Sequence, residues 1–211
     1  PMSTGGRGGD VAMPPVVGPD TPIDPTACAL PPRRIWKLTP TQYDRTVASV
    51  VTDLPNAGVA LGDSLAHVVG FTNDATVLHM SQPHVEALFA SAGGVAARIA
   101  KTWTCTASDA ACAQSTLGAL GKKLFRRPLA SDELMRYAGF YTGQAALRGA
   151  AIAAEQVARA MLLSPHFLYR TELGNEGASG PEISLTDHER ASALSYLIAD
   201  GPPDAMLMAA A

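Results

Sequence analysis

Two short phrases dictate the class of fold before composition is considered. Thr39-Pro40-Thr41-Gln42 and Thr186-Asp187-His188-Glu189 each place a hydroxyl residue three positions ahead of a glutamine or glutamate. The hydroxyl can accept from the backbone N–H of the third helical residue, whose side chain reaches back to the N–H of the cap. Two of the donors that a helix leaves unmet at its start are then satisfied together. Pro40 adds a third signal, since a first helical residue has no N–H bond to lose. Tyr43, Val47 and Val50 follow at helical spacing.

The same punctuation marks further helices. One starts near Ser81, with Pro83 in its first turn, and carries Val85, Leu88, Phe89, Ala92, Ala96 and Ile99 on one side. A third runs from about Ala110 to Phe125 and stops before Pro128. Ser131-Asp132-Glu133 is read as the cap of a fourth, with two acids at its positive end. Gly149 opens a fifth, which Ser164-Pro165 breaks, and a short helix is predicted over His166 to Leu173. The Thr186 phrase starts another, with Ala193, Leu194 and Leu197 along it, and Asp204 to Ala211 begins a last one. No segment alternates as a half-buried strand does. The pattern predicts an all-α, irregular multi-helix bundle over residues 34–211, incomplete at its C-terminus. An extended Pro/Gly-rich segment over residues 1–33 precedes it as a tether or surface strap.

Composition narrows the functions open to such a chain. Charged residues are 17%, aromatics 6% and net charge is −3, so the core is aliphatic and no broad basic face is available for nucleic acid. The one concentrated basic run, Lys122, Lys123, Arg126 and Arg127, is expected to be a helix C-terminus whose cations offset the helix dipole. No apolar run approaches the ~20 residues that span a bilayer, although a membrane tether through the leading segment is compatible with the sequence. No signal peptide is visible; Pro1 is read as following a removed leader or lying downstream of one. Cys105 and Cys112 flank a small polar stretch that suits a disulfide across a turn, with free thiols the alternative. Cys28 is then odd.

Several phrases, in order, resemble one bacterial group. They are Arg34-Ile35-Trp36-Lys37-Leu38-Thr39-Pro40-Thr41-Gln42-Tyr43, Gly70-Phe71-Thr72-Asn73-Asp74-Ala75, Phe125-Arg126-Arg127-Pro128-Leu129, and Ser164-Pro165-His166-Phe167-Leu168-Tyr169-Arg170-Thr171-Glu172. The stretch from Leu185 to Leu197 and the segment Pro202-Pro203-Asp204 complete the series. Together they are similar to the planctomycete- and myxobacterium-type domains of unknown function that often accompany cytochrome c domains. The resemblance implies an exported, periplasmic or surface, multi-domain protein. It brings no catalytic residues with it.

Among candidate sites, none of the five histidines shows a recognised metal spacing, so no metal is expected. His166 stands out: it falls at a helix break, with Tyr169 and Arg170 on the same helical face and Glu172 close behind. That cluster is either a binding site for a carboxylate or haem propionate, or a structural clasp between helices. Nothing resembles a nucleophile elbow, a phosphate loop or a dinucleotide fingerprint. Two functions follow as expectations. The first is a non-catalytic helical interaction or scaffold module of an exported redox or envelope assembly. It would dock on a companion chain, such as a cytochrome c, or on the remainder of its own polypeptide. The second is part of a periplasmic oxidoreductase coupled to cytochrome c, its active site completed beyond Ala211. No cofactor is expected within this chain; haem is expected only in a partner or a further domain.

Overall fold

The computed structural model describes residues 33–54, 56–58, 61, 81–175 and 183–211. The tether expected over residues 1–33 and Cys28 therefore lie outside the described residues, apart from Arg33. The described chain is predominantly helical. In order come β1 (Arg34–Lys37), α1 (Pro40–Ala48), α2 (Gln82–Lys101), α3 (Ala110–Phe125), α4 (Ser131–Arg148), α5 (Ala150–Leu162), α6 (Pro165–Leu168), β2 (Tyr169–Glu172), α7 (Asp187–Ile198) and α8 (Ala205–Ala210).

The long helices α2, α5, α4 and α3 pack in that spatial sequence. Alanines make the closest of these contacts feasible. Ala92 and Ala96 on α2 and Ala153, Ala154 and Ala158 on α5 are fully buried. Small side chains at a crossing let helix axes approach without voids. Leu117 and Leu124 from α3 and Val157, Met161 and Leu162 from α5 fill the centre. Tyr43 of α1 meets Phe167 of α6 edge to face, with ring centres 5.2 Å apart.

The helix starts follow their local chemistry. At α1, Thr39 Oγ1 accepts from Gln42 N at 3.2 Å and Gln42 Oε1 accepts from Thr39 N at 3.3 Å, the reciprocal pair expected. At α7, Thr186 Oγ1 accepts from Glu189 N at 3.2 Å, and Glu189 Oε2 accepts from Thr186 N at 3.0 Å. The cap of α4 is Ala130 rather than Ser131: Glu133 takes the N–H of Ala130 at 2.9 Å, and Ser131 is the first helical residue. Gly149 joins α4 to α5 at φ 87°, a backbone conformation that suits glycine. Cys105 and Cys112 form the disulfide, with Cα atoms 5.6 Å apart, tying the α2–α3 turn to the first turn of α3.

Two features depart from the sequence reading. The helix expected over His166 to Leu173 lasts only through Leu168, and Tyr169–Glu172 continues as a strand. It pairs antiparallel with Arg34–Lys37, so that Trp36 stands opposite Arg170 and Arg34 opposite Glu172. Neither four-residue strand carries enough alternation to announce itself. Each becomes a strand because the other supplies its hydrogen bonds.

Candidate functional site

The end of α3 organises the region. Its cap, Arg126, sits in the left-handed conformation at φ 59° and is almost wholly buried. The guanidinium donates to three backbone carbonyls, those of Phe167 at 3.1 Å, His166 at 2.7 Å and Tyr169 at 2.8 Å. These are the carbonyls freed where α6 gives way to β2. Arg126 is therefore a clasp across the break, not a surface cation balancing a helix dipole. Burial pulls its pKa down while the Tyr196 hydroxyl pulls it up.

A second clasp stands beside it. Arg127 donates to both oxygens of Glu133, at 2.7 and 2.8 Å, and His166 Nε2 lies 3.3 Å from Glu133 Oε1. Hydrogen bonds from Arg127 hold the Glu133 carboxyl at about 2, against the desolvation that would raise it. Burial and then the nearby Arg127 cation lower the pKa of His166. The imidazole is half exposed and rests against Phe125, with ring centres 5.5 Å apart.

Arg170 behaves differently. Its guanidinium stacks 4.6 Å from the centre of the Tyr196 ring, and the residue is only 8% exposed. It makes no ion pair among the described residues. Tyr196 is fixed from the other side by Thr46, whose Oγ1 lies 2.6 Å from the phenol oxygen.

The predicted cluster thus divides. His166, Tyr169 and Arg170 line a small cavity between the cap of α3, β2 and the start of α7. Glu172 turns away and pairs with Arg34 at 2.8 Å. The expected face shared by His166, Tyr169 and Arg170 does not exist, because residues 169–172 are strand. Arg170 and Glu172, two apart on that strand, instead share a wider groove with Arg34 and Trp36 of β1 and Leu194 and Leu197 of α7. Among the described residues no group of histidine, cysteine and carboxylate side chains is placed to hold a metal, and no helix is long and apolar enough to cross a membrane.

The sequence reading missed Arg126, His188 and Ser192. His188, within the capping phrase of α7, has its Nδ1 buried, and the residue lines the cavity. A signal existed: Ser192 and Ser195 fall at core spacing on α7 together with Tyr196, a polar stripe where an apolar one is usual.

Residues 36–101 match the family model PSD3, a protein of unknown function (DUF1587), and residues 112–172 match PSD5, a protein of unknown function (DUF1595). No curated protein and no solved structure matches the chain.

Proposed function

We propose that this chain is a non-catalytic helical interaction module that docks on a companion protein chain through α7 and the adjoining groove. The observation that carries the reading is the inverted face of α7. Its buried residues are Ala191, Ser192, Ser195 and Tyr196, while Leu194, Leu197 and Ile198 are 48%, 82% and 76% exposed. An amphipathic helix laid on its own core presents the opposite arrangement. Clustered exposed aliphatics mark a surface made for covering.

The groove beside those leucines indicates the chemistry of the cover. Arg34, Arg170 and Arg190 line it against one acid, Glu172. An apolar partner face with an acidic rim is complementary to it. We take that partner from an exported redox or envelope assembly, a part of the proposal supported only by the resemblance to domains that often accompany cytochrome c.

A photo-crosslinking residue at position 197, introduced into the protein in its native cells, tests the reading. One discrete protein adduct is expected there and none from the exposed position 101 on α2. Leu194→Glu should remove the adduct without lowering Tm. An adduct confined to the protein's own polypeptide would replace the companion chain with the chain's own remainder. No adduct at position 197 rules out docking through α7.

A further inference from the structure

Two members of the basic run on α3 have no part in the clasps. Arg126 serves three carbonyls and Arg127 serves Glu133. Lys122 and Lys123 make no ion pair among the described residues. The Lys123 ammonium donates to the Ser49 carbonyl at 3.3 Å, and the Lys122 ammonium has no hydrogen-bond partner there. The helix dipole favours cations at this end, but the two lysines also border a cavity.

The sequence explains the cavity. Lys122 and Lys123 stand three and four residues after Ala119, so the three share one face of α3. Ala119 ends at a methyl and fills little of the space beside them. The chain after α7 supplies the opposite wall. Asp200 turns it in the left-handed conformation at φ 51°. Pro202 and Pro203 follow, with no N–H to satisfy, and α8 adds Ala205 and Met208. The enclosed space measures about 430 Å³, within the range of about 300–1,000 Å³ usual for small-molecule sites.

The lining indicates the ligand. Ala119, Pro202, Pro203, Ala205 and Met208 offer it hydrocarbon, and Lys122 and Lys123 offer positive charge. The acid that lines it, Asp204, caps α8 by accepting the Leu207 N–H at 2.8 Å and forms no ion pair among the described residues. Cations therefore exceed acids around an apolar space. Hydrocarbon walls favour a hydrocarbon chain, and unpaired ammonium groups favour an anion at its end. We propose that this cavity binds one single-chain anionic amphiphile, a medium-chain carboxylate, with its hydrocarbon against Ala119, Pro203 and Met208 and its carboxylate at Lys122 and Lys123.

Isothermal titration calorimetry of the full chain with sodium octanoate tests the site, with octan-1-ol and sodium acetate as controls. Saturable binding of one octanoate per chain is expected, with octan-1-ol about tenfold weaker or more for want of the charged contact. Acetate, which lacks the chain, should give no saturable heat. Lys122→Glu should weaken octanoate about tenfold or more, and Ala119→Trp, which fills the cavity, should abolish binding. Both positions are exposed, so neither variant disturbs the core. Octan-1-ol binding as tightly as octanoate would leave the lysines without a role, and unchanged binding in Ala119→Trp would place it elsewhere. Either result, or no saturable heat with octanoate, overturns the proposal.

Discussion

Replacing Glu133 with glutamine should cost stability at neutral pH and very little at acid pH. The side chain is 8% exposed and receives both Arg127 donors, the Ala130 N–H and the His166 imidazole. Its pKa falls from 4.5 to about 2 on folding. At about 1.4 kcal/mol per unit that difference corresponds to about 3 kcal/mol, and discounting for Arg127, a third exposed, leaves about 2 kcal/mol. A carboxylate whose pKa is depressed in the fold contributes fully above its unfolded value. The stabilisation is thus present above pH 4.5 and is lost as pH falls toward 2. Thermal unfolding of the wild type and Glu133→Gln at pH 7, 4.5 and 2.5 reads this out. At pH 7 the variant should unfold with a Tm lower by about 4–8 °C, and the gap should close as pH falls. A gap equal at pH 7 and 2.5 would falsify the assignment of that stability to the ionised carboxylate.

Three further substitutions probe the other ties. Arg126→Met leaves the carbonyls of His166, Phe167 and Tyr169 without their donor, and chemical denaturation should show a loss of about 3–5 kcal/mol. Tyr196→Phe removes the 2.6 Å contact with Thr46 while keeping the ring under Arg170; about 1–2 kcal/mol should be lost, measured by the same method. Cys105→Ser opens the short loop closed on Cys112, and calorimetry should find about 2–3 kcal/mol less stability than in the oxidised protein.

Much of the helical framework was legible because its signals are local. Thr39 and Gln42, Thr186 and Glu189, Asp204, and the bounds of α3 at Ala110 and Phe125 all depend on residues within a turn of one another. The β ribbon was not legible, since Arg34 and Glu172 are brought together only by the finished fold. The shared helical face expected at the candidate site was not legible for a related reason. Placing His166, Tyr169 and Arg170 on one face required helical geometry to persist past Leu168, where it stops. The basic run at Arg126 looked like surface charge because no local pattern announces a buried cation that serves carbonyls forty residues away.

The two family segments are not two separate bodies. Trp36, at the start of the first, pairs with Arg170, at the end of the second, and Tyr43 packs on Phe167. Both segments supply the one apolar core, so neither can complete its fold without the other. Helix α7 lies outside both segments and outside that core. What ties it down is polar: Tyr196 to Thr46, Gln42 Nε2 to Asp200 at 2.9 Å, Arg45 to the Ala199 carbonyl at 2.6 Å, and Arg170 on the Tyr196 ring. Such ties fix orientation with little burial of apolar surface. They hold α7 with Leu197 and Ile198 outward and Leu194 half covered, so that the apolar core carries the fold and the polar mounting carries the helix proposed above to dock.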